Sequence, residues 1–290
     1  MGASSKSGIG ALTPENKRKL LNGVLFAVLC LITVVQIFPF WYLAVFSLKS
    51  NDQIYGGNII GLPTKWIWSN YSKALIDAKI ILFFVNSLIV TGVTIVVTVA
   101  LSAMVSYAIM RLKWRLSKIV LGLFLLGLMI PQHSALLPLF VILRNLHLLN
   151  TYLALILPYV AFALSIAVLV LTGFFETIPK ELEEAAFIDG CSIYRVFFSI
   201  IMPLLAPALA TVGILTYLSA YNEMMFAVTY ISTERLKTLT VGILGFQGRY
   251  TTNWGTIGAS LVVAVIPTVI IYLLLSNQVQ KGLTAGALKG

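Results

Sequence analysis

Six stretches of this sequence are apolar over lengths that can cross a lipid bilayer. A transmembrane helix needs about 20 predominantly apolar residues, because it rises about 1.5 Å per residue through a hydrocarbon core about 30 Å thick. Only 10% of the residues are charged, against about a quarter in soluble domains, and the mean hydropathy is +0.96. The sequence therefore predicts an all-α integral membrane protein with six transmembrane helices, at roughly 20–48, 81–110, 118–142, 151–175, 197–231 and 256–277.

The first and fifth blocks need closer definition. The first follows a basic cluster at residues 17–19, an order that also occurs in secretory signal peptides. It is too long for a signal-peptide core and no small-residue cleavage site follows it, so we expect a retained span. The fifth block is too long for one span. We expect its turns around Pro203 and Pro207 to lie at the interface, with the span proper starting near Leu204.

The basic residues indicate the orientation of the chain. Six spans place both termini on one side, and an N-terminus inside puts 12 of the 20 Lys and Arg residues in cytoplasmic segments. The tight clusters flank span ends, where the positive-inside rule acts most strongly. We therefore predict both termini in the cytoplasm, with an N-terminal tail over 1–19 and one membrane domain over 20–290 that ends in a cytoplasmic tail at 278–290.

Several kinds of chemistry are missing from the sequence. It has no phosphate-binding loop of the G-x-x-x-x-G-K-[ST] type, so we expect neither ATP hydrolysis by this chain nor another enzymatic activity. His133 and His147 have no nearby carboxylate and predict no metal site. The net charge of +10 resides in short clusters between apolar blocks, which predicts contact with membrane lipids and no nucleic-acid partner. Cys30 falls in a span and Cys191 in a cytoplasmic loop, so we expect no disulfide.

The loop between the fourth and fifth spans holds five of the ten acidic residues of the chain. Acidic residues contribute little to membrane orientation, so topology does not explain them. Pro179 suits a first helical position, the acids suit the positive end of a helix dipole, and Gly190 suits a C-terminal stop. The sequence predicts a short helix over about 179–190.

This helix has the composition of a docking element. Leu182, Ala185 and Ala186 fall on one face at i, i+3 and i+4 spacing and are flanked by acids. Small residues let another backbone approach closely, and the flanking carboxylates can pair with basic groups on a partner. A helix lying on the membrane surface is less favoured, because the anionic lipids of the cytoplasmic leaflet would repel the acids.

One acidic residue falls inside or at the edge of a predicted span. Glu223 lies about 20 residues beyond Pro203, which places it near the outer leaflet. A carboxylate in hydrocarbon costs at least a few kcal/mol, so such a residue normally faces a cavity, a partner or the interface. Two interpretations stay open: Glu223 has reached the outer water, or it lines a polar pathway together with Tyr217, Tyr221 and Asn222.

Two outer loops are expected, at about 50–80 and 232–255, and both contain Trp and Tyr. Aromatic anchoring at the headgroup level accounts for the first. The second also contains several glycines, which give it freedom to fold against a partner. Partner docking, a cap over a pathway and a plain connecting loop all stay open for it.

A motif at fixed spacing covers the docking helix and the start of the fifth block. Glu184-Ala185-Ala186, Gly190, Ile200 and Met202-Pro203 match the signature EAA-x3-G-x9-I-x-LP, with Met202 in place of the usual Leu. The chain thus resembles the permeases of ATP-binding cassette (ABC) importers. Further segments resemble the carbohydrate-importer branch, in particular permeases similar to the second membrane subunit of the maltose importer: Asn86-Ser87, Tyr107-Ala108, Arg111-Leu112, 174–182 and 282–290.

The resemblance implies a fold, a role and partners. It implies the type I importer permease fold in the cell membrane of a prokaryote, and import of a di- or oligosaccharide delivered by an extracellular solute-binding protein. It implies a heterodimer with a second homologous permease, and two ATPase subunits that use ATP and Mg, with no cofactor bound by this chain. The residues implied to couple to the ATPases are Glu183, Glu184, Ala185, Ala186, Asp189, Gly190 and Pro203, with a second ATPase contact at Thr284, Gly286 and Lys289.

Other functions stay open at this stage. Members of the resembled family also import polyols and glycerol phosphate esters. An ion-coupled secondary transporter would need a coupling site near the middle of the membrane, for which only Glu223 offers a carboxylate. A purely structural membrane anchor would predict that substituting Glu223 changes no flux.

Overall fold

The computed structural model describes residues 14–112, 114–246 and 252–287, which form helices joined by short connections. Two π-helical turns, Lys73–Asp77 and Phe197–Ile201, and two 3-10 turns, Gln132–Ala135 and Glu234–Leu236, interrupt the α-helices. The α-helices of these residues are, in chain order, α1 Pro14–Phe46, α2 Asn51–Tyr55, α3 Ser69–Ser72, α4 Ile80–Arg111, α5 Ser117–Gly127, α6 Leu136–Asn145, α7 Leu153–Phe175, α8 Glu181–Ile188, α9 Ile193–Val196, α10 Met202–Leu204, α11 Ala206–Tyr221, α12 Met225–Tyr230, α13 Leu239–Leu244 and α14 Trp254–Ala287.

Four of these helices contain stretches long and apolar enough to cross a membrane: Arg18–Phe46, Ile80–Arg111, Leu153–Phe175 and Trp254–Leu274. Two further helix pairs satisfy the same test only when each pair is taken together across a sharp bend. The described residues therefore provide four spans, or six if each bent pair counts as one. The all-α membrane class is confirmed, while the count of six depends on the two bends.

The third predicted span, 118–142, is not one continuous helix. The helix α5 ends at Gly127, and the segment Gln132–Asn145 leaves it at 92°. Pro131 stands in the break. Proline has no N–H to donate and disfavours helical backbone at the residue before it, which accounts for a break at this point.

The fifth predicted block bends where its prolines lie. The segment Ile193–Leu204 meets α11 at 73°, and Leu205 at the bend is fully buried. The straight span begins at Ala206, with Pro207 in its first turn, where a missing N–H costs no helical hydrogen bond. The bend separates the turns before Leu205 from the span, which starts two residues after Leu204 and includes Pro207. The position of the turns around Pro203 at the interface stays a prediction.

The interior of the bundle is built around α4. This helix buries a row of small polar side chains against α7 and α11, and such residues let helices in a membrane approach closely. The Thr94 hydroxyl donates a hydrogen bond to the carbonyl of Val90 at 2.7 Å. The buried polar row comprises Asn86, Ser87, Thr91, Thr94, Thr98, Ser102 and Ser106.

The first helix stands apart from this bundle. None of the most apolar window within Arg18–Phe46 is buried against the rest of the chain. Contact with the bundle is made where α1 ends, because Phe46 and Ser47 pack closely against Gly258 of α14. The apolar surface of α1 therefore faces outward along most of its length.

The bundle has two ends, and each carries different elements. The α8 end comprises α8, α9 and the C-termini of α4 and α7. The loop end comprises the segments between α1 and α4 and between α11 and α14. The predicted docking helix and the predicted outer loops therefore lie at opposite ends, as the sequence interpretation requires.

Candidate functional site

The predicted docking helix exists as α8 and terminates as expected. Gly190 has φ +80°, and its N–H donates to the carbonyl of Phe187 at 3.0 Å. The N–H of Cys191 donates to the carbonyl of Ala186, also at 3.0 Å. These two bonds form a Schellman motif, which is favoured by glycine because only glycine adopts positive φ without strain. The helix begins at Glu181, two residues after Pro179, with the Lys180 carbonyl accepting from the N–H groups of Glu183 and Glu184.

The two faces of α8 differ from the predicted division. Glu183 and Ala186, three residues apart, are buried against the bundle. Ala186 packs there with the end of α7, so it does not share an exposed face with Leu182 and Ala185. The outward face is nevertheless apolar at several positions, since Leu182, Phe187 and Ile188 are 44%, 46% and 87% exposed. Glu184 is exposed beside them.

Glu183 contacts its own chain rather than an outside partner. Its carboxylate lies 2.6 Å from Nε of Arg111, the last residue of α4, and both side chains are buried. The expectation that this acid is free to pair with a partner is therefore wrong for this structure. The sequence pattern marks acids as surface residues, but helical spacing places Glu183 on the same inward face as Ala186.

The remaining predicted coupling residues lie on the outside of the α8 end. Asp189 caps the C-terminus of α8 and is exposed. Pro203 is exposed on the short helix α10, immediately before the bend into α11. The structure thus brings Asp189, Gly190 and the outward face of α8 to one surface.

The predicted C-terminal contact falls largely beyond the described side chains. Thr284 and Gly286 lie in the last turns of α14, so the backbone of the predicted tail is helical to Ala287. Lys289 lies outside the described residues. These positions stay a prediction from the resemblance.

Two tyrosines assigned to a polar pathway join helices within the chain. The Tyr217 hydroxyl lies 2.9 Å from Oγ1 of Thr268, and the Tyr221 hydroxyl donates to the carbonyl of Ala264 at 3.1 Å. Both rings are buried and stack at 5.0 Å between centroids. They fix α11 to α14, and their hydroxyls face protein rather than an open surface. Of the four residues in that group, Asn222 is the exposed one.

Glu223 is buried and serves as a helix cap. Its carboxylate accepts from the Tyr159 hydroxyl at 2.6 Å and from the N–H groups of Phe226 at 2.8 Å and Ala227 at 3.2 Å. The two N–H groups belong to the first turn of α12, where a carboxylate is stabilised by unpaired donors and the helix dipole. Glu223 is only 7% exposed, so the interpretation that it reaches the outer water is wrong.

The pair Asn86-Ser87 holds the loop end together. Asn86 donates from Nδ2 to the carbonyls of Arg235 and Lys237 at 2.8 and 2.9 Å, and accepts from the Tyr152 hydroxyl at 2.8 Å. Ser87 accepts from the N–H of Leu239 at 2.8 Å. The second outer loop is thus bonded to the start of α4 before its undescribed part begins, and the start of α4 is bonded in turn to Tyr152 at the start of α7. In the sequence, Asn86-Ser87 is recognisable only as a family resemblance, although an Asn in an apolar span indicates a buried polar partner.

The chemistry of metal binding is not represented among the described residues. Within 14–112, 114–246 and 252–287 there is no group of three or more His, Cys, Asp or Glu side chains that could hold a metal ion. Cys30 is exposed and Cys191 is half-buried, and both are free thiols. The described part of the site therefore consists of exposed surfaces and buried polar contacts rather than reactive groups.

Comparison with known proteins gives this geometry a context. Residues 97–284 match the protein family described as binding-protein-dependent transport system inner membrane component. The chain is 37% identical over 265 residues to the sulfoquinovosyl glycerol transport system permease protein SmoH of Agrobacterium fabrum, covering 91% of this chain and 93% of that protein. It is 36% identical over 275 residues to the trehalose/maltose transport system permease protein MalG of Thermococcus litoralis, covering 93% and 96%.

A solved structure shares the fold. A chain from the crystal structure of a bacterial ABC transporter involved in the import of the acidic polysaccharide alginate superposes with a TM-score of 0.77. The superposition covers 93% of this chain and 99% of that chain, at 20% sequence identity. This chain thus shares its fold with a chain of that ABC importer.

Proposed function

This chain belongs to the family of binding-protein-dependent transport system inner membrane components, and we propose that it is the permease subunit of an ABC importer for a di- or oligosaccharide. As a member of that family it is a transport subunit and not an enzyme. The proposal further assigns six spans, with the two bent helix pairs each crossing the membrane once. ATP and Mg are assigned to separate ATPase subunits.

The outward face of α8 is the main observation that supports the proposal. Leu182, Phe187 and Ile188 expose apolar surface on a helix whose acids are disfavoured against an anionic membrane surface. An apolar patch rimmed by charge at the end of a membrane bundle is typical of a docking surface. We assign this face, with Glu184, Ala185, Asp189 and Gly190, to a groove of one ATPase subunit. Pro203 lies beside it, and the tail with Thr284, Gly286 and Lys289 is assigned a second ATPase contact.

The charges near α8 support an orientation with both termini in the cytoplasm. Arg115, Lys118 and Arg195 are exposed near the α8 end, and Arg111 ends α4 there. Basic residues next to span ends favour the cytoplasmic side. The α8 end is therefore assigned to the cytoplasm and the loop end to the outside, in the cell membrane of a prokaryote.

The unburied first helix supports a second permease as partner. An apolar helix that packs against its own bundle only at its end leaves a long face for another subunit as well as for lipid. At the loop end, a recess of about 500 Å³ is lined by charged residues, which suits docking of a solute-binding protein. Its charged lining residues are Lys73, Asp77, Lys79, Glu234 and Lys237.

The class of substrate follows from the relatives. SmoH and MalG are named for transport of sulfoquinovosyl glycerol and of trehalose/maltose, and the solved structure is of a transporter involved in import of the acidic polysaccharide alginate. We extend this to a sugar substrate for the present chain. Asn222, which is exposed at the end of α11, is the described pathway candidate that retains a free surface.

Reconstitution tests the proposal. The permease is placed in proteoliposomes with its second permease, its ATPase subunits and the solute-binding protein encoded with them, and uptake of labelled oligosaccharides is measured. We expect uptake that requires ATP together with the binding protein. Uptake driven by a proton or sodium gradient without the ATPase subunits would instead favour a secondary transporter.

Reversing one charge on α8 should disrupt the ATPase contact. Glu184→Lys is expected to lower ATP-driven uptake at least about tenfold, because a lysine would face the basic groups that we assign to the ATPase groove, and like charges across an interface cost several kcal/mol. Co-purification of the ATPase subunits with the permease pair measures the contact directly. Asp52→Lys is the matched control, since it makes the same charge change on exposed α2 at the loop end. Equal ATPase recovery in Glu184→Lys and wild type would contradict the assignment.

A further inference from the structure

A buried ion pair joins α8 to the body of the membrane domain. The Arg111 guanidinium and the Glu183 carboxylate are 2.6 Å apart, with side chains 6% and 7% exposed. Exposed ion pairs contribute little to a structure, but removing one member of a buried pair leaves an uncompensated charge and is strongly destabilising. The contact therefore resists separation in a way that an apolar contact of the same size would not.

Arg111 also binds the end of α7. Its Nη2 donates to the carbonyl of Ile178 at 2.7 Å and to that of Phe175 at 3.3 Å, and its guanidinium lies 5.5 Å from the centre of the Phe175 ring. Phe175 is the last residue of α7, where a cation is favoured by unpaired carbonyls and the helix dipole. One side chain at the end of α4 thus links α4, α7 and α8.

An aromatic cluster lies beneath this link. The Tyr107 ring is 6.2 Å from Phe175 and 5.1 Å from Phe197, measured between centroids. Phe197 begins the π-helical turn that leads into the bend before α11. Because both charged side chains are largely buried, the electrostatic attraction between them is screened less than at an exposed surface. The junction therefore connects α8 to the start of the fifth block as well.

We propose that Arg111 and Glu183 are positioning residues that make α8, α4 and α7 move as one rigid body when force is applied to α8. The inference rests on the proposed function, because the force is that of the ATPase subunits. A docking helix attached only through its flanking turns could tilt without moving the spans. The buried pair opposes such a tilt, since separation would leave each largely buried charge without its partner.

The test uses the complete reconstituted importer with four variants. Arg111→Met and Glu183→Gln each remove one charge, Arg111→Lys keeps the charge but loses the planar group that serves several acceptors, and Arg111→Met/Glu183→Leu replaces the pair with apolar groups. Thermal stability, ATPase recovery, ATP hydrolysis and uptake are measured for each. The control is Asp52→Asn, which removes one exposed carboxylate on α2 at the loop end, outside the recess assigned to the solute-binding protein.

We expect assembled Arg111→Met and Glu183→Gln complexes to hydrolyse ATP while transporting at least about tenfold less sugar per ATP, a loss within the usual range of coupling between sites. The apolar double variant should regain stability, as apolar replacements of buried pairs often do, without regaining uptake per ATP. Arg111→Lys should fall between wild type and Arg111→Met, and the control should match wild type.

The alternatives are distinguishable. If the double variant regains uptake per ATP together with stability, the pair is merely structural and the inference is overturned. Wild-type uptake per ATP in both single charge-removal variants overturns it as well. Loss of assembly in all four variants would make the pair a requirement for assembly and not for coupling. Absence of ATP-driven uptake by the wild-type complex would instead contradict the proposed function itself.

Discussion

Replacing Gly190 with valine is expected to abolish most ATP-driven uptake by distorting the end of α8. The backbone of Gly190 has φ +80°, a region that β-branched residues rarely adopt. An added Cβ would meet no atom within 4 Å in this chain, so the cost comes from the backbone and not from crowding. A residue forced into this conformation costs about 1–3 kcal/mol, and 1.4 kcal/mol changes an equilibrium tenfold.

The alternative for valine is to leave this conformation and break the Schellman bonds. The N–H groups of Gly190 and Cys191 then lose the carbonyls of Phe187 and Ala186. The outward face of α8 then changes its angle to the bundle, whereas retaining the strained conformation lowers the fraction of molecules with a correctly formed α8 end. Uptake and ATPase co-purification in the reconstituted system measure the effect.

Two controls separate backbone strain from added bulk. Gly190→Asn should retain much of the uptake, because asparagine tolerates positive φ better than other non-glycine residues. Gly173→Val makes the same substitution within α7, where the added Cβ also meets nothing within 4 Å, and should have little effect. Equal loss of uptake in Gly190→Asn and Gly190→Val would refute the explanation by strain.

The same segment shows what sequence can and cannot predict. Local rules located α8 and its stop at Gly190, because glycine at a helix end and acids in a first turn act through neighbouring backbone groups. The partner of Glu183 was not predictable from these rules. Arg111 lies 72 positions earlier, and a pairing over that distance depends on how α4 and α7 pack rather than on spacing along the chain.

Some of the membrane spans were predictable from the sequence and others were not. Apolar length predicted the straight spans of α4, α7 and α14, since crossing a bilayer requires little more than continuous apolar surface. Apolar length also predicted one span over 118–142, yet the chain turns at Pro131 within it by 92°. Proline determines that a helix is interrupted, but the size of the turn is set by what the two halves pack against.

Glu223 shows why a lone carboxylate in a span was ambiguous in sequence. Both interpretations assumed that its charge needed water or substrate. Its partners are the Tyr159 hydroxyl and two backbone N–H groups of α12. The amino-acid sequence does not show which backbone N–H groups at a helix start a side chain will reach. The carboxylate thus connects α7 to the short helix that follows α11.

We therefore expect Glu223→Ala to destabilise the membrane domain more than any change of an exposed residue. It leaves three buried donors without an acceptor, those of Tyr159, Phe226 and Ala227, and each unpaired donor costs about 1–3 kcal/mol. The measurements are the thermal unfolding midpoint of the purified complex and the amount of folded protein recovered from membranes. Both should fall sharply.

Glu223→Gln provides a graded comparison, because the amide keeps one carbonyl oxygen for Phe226. Its NH₂ group would face the N–H of Ala227, a donor opposite a donor, whereas the Tyr159 hydroxyl can turn to accept. We expect a stability between those of wild type and Glu223→Ala, and near wild-type stability for the control Asn222→Ala, whose side chain is exposed. A pathway role would give the opposite pattern: Glu223→Gln would then lower uptake while leaving the unfolding midpoint unchanged, and that result would overturn the assignment of Glu223 as a cap.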